Sequence, residues 1–384
     1  MEFAGYQNEI YLAGLGGTRP DLPIGYAGLE ERARETLSAE AYAYVAGGAG
    51  SEDTMRENLE AFRRWRIVPR MLRDVSVRDH TSELFGATLP APVLLAPVGV
   101  LSIVHGDGEI AVARAASSLG IPFVLSTAAS NSMEDVAKAA GEGPRWYQLY
   151  WPNDPELAES FLNRAAAAGY SAVVVTLDTP MLAWRPRDLQ GAYLPFLKSE
   201  GIANYLSDPV FRSRLEKSPD EDPMAAVLRW VGVFPHPQLT WDRLSWLRER
   251  TELPVLLKGV LHPHDARRAI DAGVDGLIVS NHGGRQVDGA IAALDALPGV
   301  VEAAGETPVL LDSGVRTGAD AIKAVALGAR AVLIGRPYVW GLGLAGEDGV
   351  RHVIRSILAE LDLTMALSGV RAVREIDRDL LTRT

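Results

Sequence analysis

Residues 255–284 read VLLKGVLHPHDARRAIDAGVDGLIVSNHGG, and this stretch decides the fold. An apolar run of strand character (255–260) is followed by a helical pattern (262–273) and by a second apolar run that ends at His282. A parallel pair of strands needs a connection of a dozen or more residues, which is usually a helix. The helical connection here is long enough, so we expect the two strands to be parallel. The stretch therefore predicts a β–α–β unit with His282 at the carboxyl end of its second strand.

The same unit recurs along most of the chain. Eight apolar runs end in small or polar residues and alternate with helical patterns; they cover residues 92–99, 123–128, 145–150, 172–178, 255–260, 276–282, 309–314 and 331–336. Parallel strands are buried on both faces and are therefore apolar throughout. Eight of them predict an α/β fold, a closed (β/α)8 TIM barrel, with an open doubly wound sheet as the alternative.

Two regions lie outside this repeat. Residues 1–90 are predicted to form an N-terminal helical extension. Residues 188–252, between strands four and five, are rich in Pro, Asp, Trp and Leu and are too long for an ordinary connection. We expect this insertion to be an active-site lid, with a disordered excursion as the alternative. The whole chain, residues 1–384, is then one barrel domain.

The composition limits the possible partners. Lys and Arg number 38 against 49 Asp and Glu, a formal net charge of -11, which disfavours nucleic acid because phosphate neutralisation needs a basic face. The absence of Cys excludes disulfides, thiolate metal sites and cysteine nucleophiles. No signal-peptide pattern and no apolar run near 18 residues occur. We therefore expect a cytoplasmic protein without a membrane span.

Hydrogen-bonding residues end nearly every predicted strand. In a TIM barrel the strand ends at the C-terminal face carry the chemistry, and polar groups there cost free energy unless they are paired or used. In chain order these ends supply Pro97, Val98, Gly99, Ser126, Ala128, Gln148, Tyr150, Thr176, Asp178, Lys258, Ser280, His282, Asp312, Gly314, Gly335 and Arg336. We interpret this ring of residues as a candidate active site.

Two features of the ring suggest chemistry. DSGVRTG (312–318) and IGRP (334–337) offer backbone N–H groups, a helix start, Arg316 and Arg336 for a phosphate, with ordinary glycine turns as the alternative. His282 is a candidate base that Asp178 is placed to orient, and a satisfied core histidine is the alternative.

Two other motifs are not interpreted as sites. GLGLAG (341–346) matches G-x-G-x-x-G but does not directly follow a strand and lacks the β–α–β context of a dinucleotide site. His262 and His264 open a helix without a third ligand, so we expect a helix cap there. No metal is predicted.

Several motifs together resemble one family. They are SNHGGRQVDG (280–289), LLKGV (256–260), LDSGVRTGAD (311–320), IGRP (334–337) and ELDLTMALSGV (360–370). They resemble the FMN-dependent L-2-hydroxy acid oxidases and dehydrogenases, which include glycolate oxidase and lactate oxidase. The resemblance covers nearly the whole chain and implies a (β/α)8 barrel with FMN at its C-terminal face. YQNEIYLAGL (6–15), YVAGGAG (44–50), TLDTPMLAWRPRDL (176–189) and ANYLSDPVF (203–211) are similar to segments of the lactate 2-monooxygenase branch.

The resemblance implies roles at the substrate. His282 is implied to be the catalytic base, which takes the hydroxyl proton as hydride passes to flavin N5, or the Cα proton in a carbanion mechanism. Asp178 pairs with its imidazole, and Tyr150 bonds the substrate oxygen.

The substrate carboxylate is implied to lie between Arg285 and Arg185, joined by Tyr44. If the match of the WRPR motif to the family is shifted by two residues, Arg187 takes the role of Arg185.

The resemblance also implies a set of residues around FMN. Lys258 lies near N1 and O2 of the ring, where it stabilises negative charge. The other implied contacts are Ser126, Gln148 and Thr176 at the ring edge, Pro97, Val98 and Gly99 along the ring, Ser280 near the ribityl chain, and Asp312, Gly314, Arg316, Gly335 and Arg336 at the ribityl chain and phosphate.

The implied reaction converts an L-2-hydroxy acid to the 2-oxo acid with oxygen as acceptor. Where glycolate oxidase has a tryptophan, this chain has Ala128, so lactate or a larger aliphatic or aromatic acid such as mandelate is expected to fit. The lactate 2-monooxygenase reaction, which yields acetate, carbon dioxide and water, is the first expectation. A simple oxidase releasing peroxide and a dehydrogenase with a quinone or protein acceptor are the alternatives. Relatives are usually tetramers or higher, so a homo-oligomer is expected.

Overall fold

The computed structural model describes residues 3–384. Eight parallel strands follow one another around a closed barrel in chain order, and the last pairs with the first. They are β1 (Val93–Leu95), β2 (Phe123–Ser126), β3 (Arg145–Leu149), β4 (Val173–Thr176), β5 (Val255–Lys258), β6 (Gly276–Val279), β7 (Val309–Leu311) and β8 (Ala331–Ile334). The predicted (β/α)8 barrel is confirmed, and the open sheet is excluded.

Four helices and two small antiparallel pairs precede or flank the barrel. The helices are α1 (Gly5–Leu15), α2 (Tyr26–Thr36), α3 (Ala39–Ala46) and α4 (Asp53–Arg63). Strand Trp65–Ile67 pairs with the C-terminal strand Leu381–Arg383, and Ser82–Leu84 forms a hairpin with Ala87–Leu89.

The remaining helices surround the barrel or form the insertion. After β1 to β3 come α5 (Gly108–Ser118), α6 (Met133–Ala140) and α7 (Pro155–Ala167). Helix α8 (Pro186–Gln190) leads into the insertion, which contains α9 (Ala203–Leu206), α10 (Pro209–Ser213), α11 (Pro223–Val233) and α12 (Leu244–Arg248). The helices that follow are α13 (Pro263–Asp271), α14 (Ala293–Ala304), α15 (Gly318–Ala326) and α16 (Arg336–Leu367). Their starts match the sequence signals: Asp154 accepts a bond from the Leu157 N–H ahead of Pro155, and Thr317 and Asp320 form a capping box.

The two motifs that we did not interpret as sites have structural positions. GLGLAG lies inside α16, whose backbone departs from helical geometry at Ala345 and Gly346. His262 caps α13, where its ring accepts a hydrogen bond from the His264 N–H. Among residues 3–384, no helix is both long and apolar enough to cross a membrane.

Alternate strand residues form a separate core inside the barrel. Every strand contributes to it, through Leu94, Val124, Trp146, Val174, Leu256, Ile278, Leu310 and Leu333, and β8 adds Ala331. The hairpin closes the N-terminal end, because Leu84, Phe85 and Leu89 pack on the same core. The ring of Phe85 lies 5.7 Å from that of Trp146. The barrel is therefore a packed core that is accessible only from its C-terminal end.

A polar layer lies above this core. Side chains two residues apart on a strand point the same way, so each strand places a second residue inward at its C-terminal end. Six of these are Ser126, Gln148, Thr176, Lys258, Ser280 and Asp312, and none is more than 6% exposed. The alternation of the strands thus produces a buried polar floor at the predicted active-site face.

Residues 188–252 pack on the strand ends through aromatic rings. Phe196 stacks on Trp230 with ring centroids 4.7 Å apart, and Trp230 lies 5.0 Å from Phe234. Phe234 meets Tyr150, which follows β3, edge to face at 5.3 Å. Such aromatic pairs add stability beyond the apolar area they bury. The insertion is therefore held over the C-terminal face by its own aromatic cluster.

A buried carboxylate joins the N-terminal extension to α16. Asp362 is fully buried; it accepts a hydrogen bond from the Ala4 N–H at 2.8 Å and lies 2.9 Å from His80 Nε2. Arg78 also pairs with it and is only 12% exposed.

We predict that Asp362→Ala lowers the free energy of unfolding by about 2 to 4 kcal/mol, because a buried arginine loses its carboxylate and two further donors lose their acceptor. Thermal unfolding measures the change as a loss of several degrees. Glu31→Ala, which breaks an exposed ion pair with Arg34, is the control and should leave the unfolding temperature unchanged. Equal effects of the two substitutions would contradict the prediction.

Candidate active site

A cleft opens at the carboxyl ends of the strands. It is lined by strand-end residues, by the N-terminal extension and by the insertion. The predicted residues that line it are Tyr44, Pro97, Val98, Gly99, Ala128, Tyr150, Arg185, Lys258, His282, Arg285, Asp312, Gly314, Arg316, Gly335 and Arg336. The other predicted residues, Ser126, Gln148, Thr176 and Ser280 of the polar floor and Asp178 behind His282, are outside its lining. Arg187 does not line the cleft either.

His282 and Asp178 form a hydrogen-bonded pair. The distance from His282 Nδ1 to Asp178 Oδ1 is 2.7 Å, and the Thr179 hydroxyl donates to the same carboxylate oxygen at 3.0 Å. Burial opposes ionisation of Asp178, but the charges of His282 and Lys258 lower its pKa to about 2. Burial lowers the pKa of His282. A neutral imidazole that donates from Nδ1 leaves the Nε2 lone pair free, 3.5 Å from the Tyr150 hydroxyl.

The backbone at His282 is held in an unusual conformation. Its φ of +60° lies in the left-handed region, which costs free energy for a residue other than glycine. The Ser280 hydroxyl accepts from the His282 N–H at 3.0 Å, and the Ser313 hydroxyl accepts from the Gly283 N–H at 2.9 Å. Neighbouring strand ends therefore fix the direction of the imidazole.

Two arginines lie side by side in the cleft. Arg285 Nη1 donates to the carbonyl oxygens of Tyr44 (2.5 Å) and Gly47 (2.7 Å), and its guanidinium lies 5.0 Å from the Tyr44 ring. Arg185 donates to the Arg285 carbonyl at 3.0 Å and to the Gln286 side chain at 2.9 Å. Burial and the charge of Arg185 lower the pKa of Arg285 to about 10. Two cations held by neutral acceptors form a site for a small anion.

The polar floor contains a buried ion pair and an unpaired amide. Lys258 Nζ lies 3.1 Å from Asp312 Oδ2 and donates to the Ser280 hydroxyl at 2.9 Å. The Gln148 Oε1 atom accepts from Ser126 at 2.9 Å, whereas its buried Nε2 has no hydrogen-bond partner among residues 3–384. An unpaired buried donor costs about 1–3 kcal/mol. The floor therefore has a donor directed at an acceptor that the chain does not supply.

The opposite end of the cleft is positively charged. Arg316 Nε is buried without a partner in the described part of the chain, and its guanidinium lies 4.5 Å from the Tyr26 ring. Arg336 donates to three carbonyl oxygens, those of Val45, Gly47 and Gly283, each at 3.0 Å. Burial and the charge of Arg316 lower the pKa of Arg336 to about 9. This end fits a phosphate.

One wall of the cleft needs a glycine. A Cβ on Gly99 would lie 2.7 Å from the carbonyl oxygen of Ala128, so no other residue fits there without a shift of the backbone. A flat wall, an unpaired amide in the floor and two arginines at the far end together fit the ring and phosphate of the FMN that the motifs imply.

Two residues of the SNHGGRQVDG motif have roles that the sequence analysis missed. The Gln286 amide donates to the Asp178 carbonyl at 2.6 Å and so joins the loop after β4 to the loop after β6. Asp288 accepts from the N–H groups of Ser51 (2.6 Å) and Thr54 (3.1 Å) at the start of α4. The motif itself was the signal, but we interpreted only its histidine and arginine.

Glu109 was also missed. Its buried carboxylate accepts from the N–H groups of Leu101 (3.2 Å) and Ser130 (3.1 Å), in the loops after β1 and β2 that carry Gly99 and Ala128. Burial raises its pKa to about 7. The acidic residue within the apolar pattern GEIAVARAA (108–116) was a signal.

We predict that Glu109 makes stability fall as the pH rises. Its pKa is higher in the folded protein than the ordinary value of 4.5, so folding favours the protonated form. That contribution is present below about pH 4.5 and is lost as the pH rises through about 7. Between these limits the free energy of unfolding of the wild type should fall, relative to that of Glu109→Gln, by on the order of 3 kcal/mol.

Unfolding by urea at pH 5 and pH 8 tests this expectation, with the exposed Glu142→Gln as control. Parallel pH profiles for the wild type and Glu109→Gln would show that the carboxyl does not titrate in this range.

The sequence matches the family described as FMN-dependent dehydrogenase over residues 33–383. It is 46% identical over 388 residues to an FMN-dependent alpha-hydroxy acid dehydrogenase of Penicillium citrinum, covering 100% of this chain and 96% of that protein. An L-lactate oxidase of Lysinibacillus sphaericus is 48% identical over 353 residues, covering 91% of this chain and 90% of the oxidase.

The fold is likewise similar to a crystal structure of mandelate oxidase. The TM-score is 0.83 at 38% sequence identity, and the superposition covers 94% of this chain and 98% of the other. The family and the cofactor that the motifs implied are confirmed. The chain therefore belongs to the FMN-dependent dehydrogenase family and is an FMN-dependent oxidoreductase.

Proposed function

We propose that this protein oxidises an L-2-hydroxy acid to the 2-oxo acid, with oxygen as the electron acceptor. One observation carries the proposal: the His282–Asp178 pair and the Arg185–Arg285 pair belong to the same cleft. A base beside an anion site suits a substrate whose hydroxyl and carboxylate are on neighbouring carbons. The relatives named L-lactate oxidase and mandelate oxidase support this substrate class.

Each residue has a role in the proposed reaction. Arg185 and Arg285 bind the substrate carboxylate, and Tyr44, next to Arg285, assists them. The substrate hydroxyl then reaches His282 Nε2 and the Tyr150 hydroxyl. His282 takes a proton while two electrons leave the substrate, and the Asp178 carboxylate stabilises the imidazolium that forms.

FMN supplies the two-electron acceptor when bound. Gln148, Lys258 and Arg316 are the best candidates to hold it, because each directs a donor toward the cleft or its floor. Lys258 keeps its positive charge: burial lowers its pKa, but the Asp312 and Asp178 carboxylates more than offset this and raise it. A fixed cation there stabilises negative charge on the cofactor.

The substrate side chain is proposed to be apolar. Ala128, Leu182, Phe196 and Phe234 line the cleft near His282 and offer no charged group. The small side chain at position 128 leaves room beyond a methyl group. We propose L-lactate as the smallest good substrate, with larger aliphatic or aromatic acids such as mandelate also accepted.

We further propose that residues 188–252 are a lid that retains the 2-oxo acid, as in the lactate 2-monooxygenase reaction. Retained pyruvate then reacts with the peroxide formed from oxygen and gives acetate, carbon dioxide and water. The aromatic cluster of Phe196, Trp230 and Phe234 over the cleft supports retention. If pyruvate leaves before it reacts with peroxide, the same protein is a simple oxidase, and with a quinone or protein acceptor it is a dehydrogenase.

The cytoplasmic location and the homo-oligomeric state stay predictions.

Anaerobic mixing with L-lactate, L-mandelate and L-2-hydroxyisocaproate tests the proposed function. Loss of the flavin absorbance with at least one acid is expected, and admission of oxygen should restore it. Acetate without free peroxide from lactate supports the monooxygenase reaction. Pyruvate with an equal amount of peroxide excludes that reaction but keeps the oxidase, and no reoxidation by oxygen leaves the dehydrogenase.

We predict that His282→Ala still binds its yellow flavin but that the substrate reduces this flavin at least 1000-fold more slowly, because the variant lacks the proposed base. Stopped-flow absorbance under anaerobic conditions measures the rate. The exposed His264→Ala is the matched control and should behave as wild type. A His282→Ala rate within tenfold of the wild type would remove this residue from its proposed role.

We predict that Ala128→Trp narrows the side-chain pocket. The ratio of kcat/KM for mandelate to kcat/KM for lactate should fall at least tenfold, since a clash with the larger acid costs about 1–3 kcal/mol. Steady-state oxygen consumption with both acids gives the ratio. An unchanged ratio would show that the substrate side chain lies elsewhere.

A further inference from the structure

An ion pair at the edge of the cleft joins the loop after β4, where it leads into the insertion, to the N-terminal extension. Arg187 Nη2, in α8, lies 2.6 Å from Glu52 Oε2, at the start of α4, and the two side chains are 40% and 17% exposed. Beside it, the Gly50 N–H donates to the Trp184 carbonyl at 3.0 Å. These two contacts connect segments about 135 residues apart in the sequence.

Few apolar contacts hold this segment, residues 181–190. The helix α8 has no buried residue, and Met181, Trp184 and Leu189 are 57%, 74% and 51% exposed. A segment with little buried apolar surface opens at low free-energy cost. The stability of its closed position therefore depends on polar contacts such as the one between Arg187 and Glu52.

The other partner is rigid. Glu52 has a φ of +62°, and its Oε1 accepts from the Gly48 N–H at 3.1 Å. The adjoining Gly47 carbonyl accepts from both Arg285 and Arg336. Burial opposes ionisation of Glu52, but its bonds to Arg187 and Gly48 lower its pKa, so the carboxylate is charged at neutral pH. Arg187 thus pairs with a fixed anion.

Movement of α8 also changes the anion site. Arg185, two residues before Arg187, lines the cleft and donates to Arg285 and Gln286. An opening of this segment would carry Arg185 away from one side of a bound carboxylate. Closure of α8 and retention of a carboxylate product are therefore linked.

We propose that the Arg187–Glu52 pair is a latch that sets how long the 2-oxo acid stays in the cleft, and so how the products divide. This inference rests on the proposed function. Retained pyruvate is attacked at C2 by peroxide; the O–O bond and the C1–C2 bond break, and acetate, carbon dioxide and water form. Pyruvate that leaves first appears in solution together with an equal amount of peroxide. Arg187 and Glu52 are positioning residues, because neither lines the cleft.

The test compares Arg187→Ala, Glu52→Gln and the double variant with the wild-type holoenzyme. With L-lactate and oxygen, the ratio of free pyruvate to acetate should rise about two- to fivefold in each single variant, the effect expected of a partly exposed ion pair. The double variant should show no larger rise than either single one. At saturating L-lactate, the anaerobic rate of flavin reduction should stay within twofold of the wild type.

Arg214→Ala is the matched control. Arg214 belongs to the insertion that follows α8 and pairs with Glu156 on α7, away from the cleft. It should leave the product ratio unchanged. Because exposed ion pairs are screened by salt, added KCl should raise the ratio in the wild type and not in Arg187→Ala.

The outcomes separate the latch from the proposed function. An unchanged ratio in Arg187→Ala, or an equal rise in Arg214→Ala, overturns the latch. If the wild type releases all of its pyruvate, the monooxygenase reaction fails, and the latch is then judged by the dissociation rate of pyruvate from the reduced enzyme. An unchanged rate in Arg187→Ala overturns it, and a two- to fivefold rise supports it. Absence of flavin reduction by any 2-hydroxy acid overturns both.

Discussion

The buried charge of Lys258 is the constraint on which the site depends. The alternation of β5 directs this side chain into a closed barrel, where an isolated ammonium is unstable. Ser280, at the end of the neighbouring β6, and Asp312, at the end of the next strand β7, therefore have to surround it. This pairing fixes the polar floor at the base of the cleft.

Much of the fold and of the site was predictable because both follow from short-range patterns. Parallel strands are recognisable in the sequence as apolar runs. Eight such runs that alternate with helices favour a closed (β/α)8 barrel. All strands of a parallel barrel end at the same face. Residues at strand ends, such as Gln148, Lys258 and His282, could therefore be assigned to that face once the strands were identified. Chemistry at a strand end is thus more predictable than chemistry in a long loop.

The remaining features depend on contacts between distant segments. Whether Arg185 or Arg187 enters the cleft is decided by the path of the insertion, which no periodic pattern encodes. The side chains of Glu109, Gln286 and Asp288 form hydrogen bonds with backbone groups of other loops. Those loops are distant in the sequence or follow other strands. Their residue types are compatible with ordinary surface positions, and only the folded chain shows what they bind.

The N-terminal extension contacts one side of the cleft through residues that are far from it in the sequence. Asn58 and Asn281 exchange two amide hydrogen bonds, of 2.8 and 2.7 Å, across 223 residues, and Arg285 reaches the Tyr44 carbonyl across 241. At a synthesis rate of about 5–20 residues per second, residues 44–58 leave the ribosome roughly 10 to 45 s before their partners. During that interval the apolar faces of α3 and α4 have no barrel to cover them. Assembly of this side of the cleft is therefore a late event of biosynthesis.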